Sequence, residues 1–266
     1  MKSINAMCSL DDNRELRNSH DFKELLRFSD DFVVATRDIT AKYRWNPDPL
    51  KGWSRSFEYP WVYRQIQMKK APLKIADFGG GVTFFPFFLC SKGYQVDVYD
   101  IDDYTQTYID ISGRLKDKIT QKPRFFHRSI SDLKTTDKYD IIYCVSVIEH
   151  VDIYMFPDIV AEVKSHLSDN GVFIFTLDID GSKGMRSINN VKLLFRLLEH
   201  ELSAGFDFEK LYFDGKKNIT PAYIDRNYGC SDTFSLSPKK IFWFLARGKK
   251  PKKYPDLNIC YGYVCK

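Results

Sequence analysis

Three consecutive glycines, Gly79, Gly80 and Gly81, stand between the apolar runs KIADF and TFFPFFL. Adjacent glycines give up the most backbone freedom on folding, so such a run points to a sharp bend or to a group that must touch bare backbone. A turn of this kind leaves N–H groups free to donate to a ligand. Asp100 ends the next apolar run, VDVYD. A carboxylate there can accept both hydroxyls of a ribose, and strand alternation puts Asp102 on the same side. Glu149 and His150 end a later run, YDIIYCVSVIEH. An imidazole titrates near neutral pH, so His150 could take the proton from an acceptor hydroxyl, or could be a structural histidine bonded to loop backbone. Asp178 and Asp180 close the run VFIFTLDID. With a further carboxylate they could hold a divalent ion, or they are simply a polar strand end. Upstream, FEYPW offers Glu58 as a second base and Tyr59 and Trp61 as rings to shield a cation or stack on a sugar. The same residues could instead be an apolar anchor for the N-terminal segment.

These residues need elements to hold them. From residue 73 the chain alternates short apolar strands with helical stretches. LKIADF, YQVDVYDI, PRFFHRSI, YDIIYCVSV and VFIFTLDI read as strands, and Asn170-Gly171 as a turn. Residues 82–92, 103–117, 153–167 and 188–204 read as helices, with Pro86 tolerated in a first turn. FDFEKLYF and IFWFLARG read as two late strands around a polar insertion at 214–240. Strands alternating with helices predict an α/β, doubly wound, mostly parallel sheet with helices on both faces. Ligands of such sheets lie at the carboxyl ends of the strands, where the strand order reverses. Ahead of this core, residues 1–20 read as loosely ordered and 21–45 as helical. An aromatic loop then leads into a helix, so residues 1–71 read as a helical and aromatic N-terminal segment and 72–266 as the core.

Composition narrows the classes. The 266 residues are 44% hydrophobic and 28% charged, which suits a globular chain with a sizeable core. A net charge of +5 does not by itself imply nucleic acid. The basic run Arg247–Lys253 could meet phosphate, but it lacks the interleaved aromatics of a single-strand platform. The six scattered cysteines form no CxxC pair, which argues against a zinc site or disulfide framework and for a reducing cytoplasm. Neither a signal peptide nor an apolar run of about 18 residues is evident. A nicotinamide dinucleotide is disfavoured, because Phe84 occupies the place of its last required glycine.

Taken jointly, these motifs resemble those of the class I S-adenosylmethionine-dependent methyltransferases. Asp77 stands as the motif acid, Gly79 and Gly81 as the first two glycines, and Thr83 replaces the third. Asp100 matches the ribose-binding acid. RSISDL is similar to the adenine-contacting segment, with Ser129 where an Asp is common and Ile130 as the apolar contact. The resemblance implies a seven-stranded Rossmann-like sheet with an antiparallel strand near the C-terminus, and it implies that residues 1–71 are a lid. It also implies S-adenosylmethionine bound by Asp77, Gly79, Gly80, Gly81, Asp100, Ile101, Ser129, Ile130 and Val145. His150, Tyr59 and Glu58 are the catalytic candidates, and no metal is assigned. The EYPW lead-in and the glycine motif are similar to bacterial methyltransferases of surface-polysaccharide pathways. A saccharide hydroxyl is therefore the expected acceptor. Another small molecule methylated on N or O, or a non-catalytic methyltransferase-like RNA-binding or scaffold protein, remains open.

Overall fold

The computed structural model describes residues 4–7, 15–16, 18–43, 50, 55–69, 73–179, 188–202 and 259–265. The strands are β1 (Ile4–Met7), β2 (Lys74–Phe78), β3 (Gln95–Asp100), β4 (Arg124–His127), β5 (Tyr139–Val145), β6 (Leu167–Ile179) and β7 (Ile259–Cys265). The helices are α1 (His20–Thr40), α2 (Arg55–Gln67), α3 (Phe85–Ser91), α4 (Thr105–Arg114), α5 (Phe156–His166) and α6 (Ile188–Leu202). All described strands join one sheet in the order β1-β7-β6-β5-β2-β3-β4. The five from β6 to β4 run parallel, and β7 and β1 pair antiparallel at one edge. The chain enters the parallel part at β2, builds outward to β3 and β4, then returns to the other side of β2 with β5. The order therefore reverses between β2 and β5, which is where ligands of such sheets bind.

Period-two alternation sends neighbouring side chains to opposite faces. Ile75, Val96, Val98, Ile141, Tyr143, Val145, Val172 and Ile174 pack in one apolar cluster with residues of α1, α2, α3 and α4. Ala76, Phe78, Tyr99, Ile142, Cys144, Phe173 and Phe175 pack in a second cluster with α5 and α6. The N-terminal helices thus share a continuous core with one face of the sheet. Cys90 and Cys144 are free and buried, as small core residues. Pro86 and Pro157 fall in the first turns of α3 and α5, where no helical N–H bond is lost.

Several boundaries differ from the sequence reading. Strand β4 stops at His127, so Ser129 and Ile130 lie in the segment that follows it. Asn170-Gly171 is not a free turn but part of β6, which starts at Leu167. Tyr139 pairs with Leu167 while Ile141 pairs with Val172, so the extra residues bulge at the strand entry. A Cβ on Gly171 would lie 2.9 Å from the carbonyls of Ser168 and Tyr139, a closeness that only glycine accepts. Residues 4–7, expected to be loosely ordered, form the edge strand against β7. The expected late strands at 206–213 and 241–248, the insertion at 214–240 and the basic run at 247–253 lie outside the described residues.

Candidate functional site

The carboxyl ends of β2, β3 and β5 converge on the glycine turn, and its three glycines have three different reasons to be glycine. Gly79 has φ +73, and a Cβ on it would lie 2.6 Å from a methyl of Val147. Gly80 is packed tightly: a Cβ there would lie 2.5 Å from both Asp77 Oδ2 and Val98 Cγ1. Gly81 has φ +54, and a Cβ on it would meet nothing within 4 Å. The first two let the chain close on itself, and the third faces open space.

Asp100 closes the turn. Its Oδ2 accepts the Gly81 N–H at 2.9 Å, and its Oδ1 accepts the Asp102 N–H at 3.0 Å. Tyr108 donates to the Gly81 carbonyl at 2.9 Å from the other side. Partial burial, opposed by these backbone donors, raises the Asp100 pKa above the ordinary carboxylate value. Ile101, next along the chain, is 70% exposed.

Asp77 lies beneath the turn and is 4% exposed. Burial is the main cause that pushes its pKa up, to about 8, with the Asp100 charge adding to it. The Tyr143 hydroxyl pulls the other way, although it lacks a well-formed hydrogen bond of its own. No basic side chain is among the groups that set this shift. Tyr59 also borders the turn: its ring centroid is 4.8 Å from that of Phe85 and 5.4 Å from that of Phe84. Burial raises its hydroxyl to about 12, so it stays protonated near neutral pH and keeps a proton to donate.

Glu58 proves to be an anchor by its surroundings. It is fully buried and takes an ion pair from Arg55 and a hydrogen bond from the Ser146 hydroxyl. Thr176 Oγ1 donates to the same carboxylate at 2.6 Å. Burial alone would raise its pKa, but Arg55 and the two hydroxyls outweigh that and hold it below the ordinary value. A carboxylate so enclosed and so acidic is a poor base for a substrate proton. Ser146, the first residue after β5, has φ +47, a left-handed conformation rare outside glycine, and its N–H donates to the Thr176 carbonyl at 3.0 Å. The roles of Arg55, Ser146 and Thr176 carried no signal in the sequence; only the positive φ of Ser146 exposes its special place.

The remaining candidates are spread around this centre. Val145 is 8% exposed at the end of β5. His150 is exposed in the 3-10 turn Ile148–His150, with its N–H donating to the Val147 carbonyl at 2.8 Å, while Glu149 beside it is buried. The Arg128 N–H donates to the Asp100 carbonyl at 2.8 Å, which brings the end of β4 beside the end of β3. Ser129 accepts from the Ser131 N–H at 3.2 Å. Ile130, the expected apolar contact for adenine, is only 6% exposed and packs in the second core cluster, whereas Ile101 is open. Trp61, like Tyr59, is 5% exposed and therefore belongs to the core rather than to a sugar-stacking surface. The Asp178 side chain and Asp180 lie outside the described residues.

A family model described as a methyltransferase domain matches residues 60–200, over half of the chain, from within α2 to within α6. The chain belongs to the methyltransferase-domain family. Among solved structures, the methyltransferase resembles an S-adenosylmethionine-dependent methyltransferase from Clostridium acetobutylicum at 18% identity, over 57% of this chain and 58% of that one, with a TM-score of 0.40. It resembles TehB from Haemophilus influenzae at 16% identity, over 51% and 49%, with a TM-score of 0.42. It resembles the glycopeptide N-methyltransferase MtfA at 15% identity, over 44% and 53%, with a TM-score of 0.38. The chain thus spans between 49% and 58% of those structures, and likenesses this slight assign no residue. Among curated proteins, none matches closely enough to count as a relative.

The methyltransferase site fits its donor chemically. S-adenosylmethionine carries a sulfonium and an ammonium, and Asp77 is a buried carboxyl whose shift owes nothing to a basic side chain among the described residues. Tyr143 adds a buried hydroxyl beside Asp77 that makes no well-formed hydrogen bond among the described residues. Gly81 gives bare backbone with space in front of it. Among the described residues no helix is long and apolar enough to cross a membrane.

Proposed function

We propose that this methyltransferase moves the methyl group of S-adenosylmethionine to a hydroxyl of a small acceptor, with a saccharide as the leading class. The observation that carries the reading is the contact between Gly81 N–H and Asp100 Oδ2, which joins the turn after β2, the strand that borders the reversal of strand order, to the end of β3, beside the buried Asp77. In this reading Asp100 receives the ribose hydroxyls, exchanging one backbone partner for them. Ile101 lies against the adenine, with Ser129 nearby. Gly79, Gly80, Gly81 and Asp77 hold the methionine end.

The donor is already activated, so the protein must align the acceptor and remove its proton. His150 takes that proton as the acceptor oxygen bonds to the methyl carbon. The carbon–sulfur bond breaks in line, and its electron pair stays on sulfur. Tyr59 acts as a hydrogen-bond donor beside the turn, since its hydroxyl does not ionise near neutral pH. The saccharide class rests on the likeness of the EYPW lead-in and glycine motif to polysaccharide-pathway enzymes. Tyr154 supports it, being 87% exposed four residues after His150, an aromatic face open to an acceptor on the same loop.

The test is methyl transfer from labelled donor to a panel of glycans, nucleotide-sugars and other small hydroxyl compounds, read by mass spectrometry. A labelled glycan supports the acceptor class, and a labelled amine or RNA replaces it. His150→Ala should lower kcat by about 100-fold or more while leaving the dissociation constant for S-adenosylhomocysteine within about twofold. An unchanged kcat removes His150 from the mechanism.

A further inference from the structure

The ion-paired Glu58 does more than tie a helix to a sheet. Helix α2 delivers its carboxylate to two hydroxyls, Ser146 just after β5 and Thr176 in the adjacent parallel strand β6. Ser146 is the residue at which the chain leaves the sheet, and it does so with φ +47. A side chain in that region is strained and persists only where its surroundings over-determine it. Here they include the Glu58 carboxylate on the hydroxyl and the Thr176 carbonyl on the N–H. The very next residue, Val147, puts its methyls where a Cβ of Gly79 would otherwise be. A continuous chain of contacts therefore runs from the N-terminal segment, through a strained strand exit, to the first glycine of the donor turn.

We propose that Glu58 is a positioning residue for the donor site: through Ser146 it holds the exit of β5 in the bent form that seats Val147 against Gly79. The proposal rests on the glycine turn being the donor site. Losing the carboxylate frees the left-handed Ser146 to relax, and Val147 then moves off the turn. A glycine at position 146 needs no such support, because left-handed backbone costs it nothing.

This contrast supplies the test, made by calorimetric titration of the full chain with S-adenosylhomocysteine. Ser146→Ala keeps the strain and loses the hydroxyl, so its dissociation constant should rise about fivefold or more. Ser146→Gly loses the hydroxyl and the strain together and should stay within about twofold of wild type. Glu58→Ala should resemble Ser146→Ala, and Glu58→Ala with Ser146→Gly should recover most of the lost affinity. Arg124→Ala, which breaks the Asp97 ion pair on the other sheet face, serves as a control that lowers the melting temperature without moving affinity. If Glu58→Ala fails to fold, the Ser146 pair alone decides. Equal weakening by Ser146→Ala and Ser146→Gly overturns the proposal, as does affinity that tracks melting temperature through Arg124→Ala. Failure of the wild type to bind overturns the donor-site reading, and the inference falls with it.

Discussion

Glu58 and Asp77 are both carboxylates buried at the sheet face shared with the N-terminal helices, yet their surroundings push them in opposite directions. Glu58 is 0% exposed and Asp77 4%. Burial works against the charged form of each. Around Glu58, Arg55 and the Ser146 and Thr176 hydroxyls overcome that, and its pKa falls. Around Asp77 no basic group does so, and its pKa rises to about 8. A buried charge that the chain itself satisfies belongs to the architecture. One left uncompensated beside bare backbone is the kind of group that a ligand from outside could satisfy.

Removing the satisfied charge should have the larger effect on stability. Glu58→Ala takes a buried counter-charge from Arg55 and an acceptor from the Ser146 and Thr176 hydroxyls. Removing one member of a buried pair costs about 3–5 kcal/mol, and because Arg55 is 21% exposed the lower end applies here. Thermal unfolding at pH 7 should show a fall of roughly 6–12 °C. The sign of the pH dependence follows from the lowered pKa. The unfolded chain binds this proton more readily than the folded one, so the Glu58 contribution is present above its ordinary value of 4.5 and is lost as pH falls through the folded pKa. The deficit of the variant should therefore shrink in acid. A deficit that grows in acid would mean that Glu58 is not held ionised.

Asp77 should behave in the reverse way. Its folded pKa of about 8 stands above the ordinary 3.8, so the folded chain holds a proton that the unfolded chain has released. Stability then declines as pH rises between those two values and levels off above them. Asp77→Asn should flatten that decline, because an amide has no charge to bury. The same substitution should weaken S-adenosylhomocysteine binding about tenfold or more, about 1.4 kcal/mol, since the ammonium loses its counter-charge. Wild-type binding at pH 7 should also release protons, seen as a binding heat that changes with the ionisation enthalpy of the buffer. A variant more stable and equally tight would separate Asp77 from the donor.

The same two residues show how much could be read before the structure. Asp77 was legible because its partners are local: the glycines follow within the same turn, and Asp100 ends the neighbouring strand. The strands that carry them were legible too, as short apolar runs with clear punctuation. Glu58 was visible as a candidate but not as an anchor, since its hydroxyl partners lie 88 and 118 residues away. Its neighbours Tyr59 and Trp61 looked available to a ligand because aromatic rings suit both roles; packing against Phe84 and Phe85 takes Tyr59 into the core. Strand β1, only INAM, owes its state to pairing with β7 rather than to its own pattern. Asn170-Gly171 has the sequence of a turn, yet backbone closeness to Tyr139 turns it into a bulge.

The smallest effect should come from Gly81, and it distinguishes fold from site most sharply. Gly79 and Gly80 are hemmed in by Val147 and by Asp77 and Val98, so a side chain on either disturbs the chain itself. A methyl at Gly81 meets no atom of the described residues within 4 Å, and its cost to folding there is the left-handed backbone at φ +54. That cost is about 1 kcal/mol, a shift of about 2–4 °C in melting temperature. Its cost to binding should be out of proportion, because the methyl enters the space that the methionine end of the donor requires. Titration of Gly81→Ala with S-adenosylhomocysteine should therefore show a loss larger than the loss in stability. Binding equal to wild type at the reduced melting temperature would show that the open side of Gly81 is not where the donor lies.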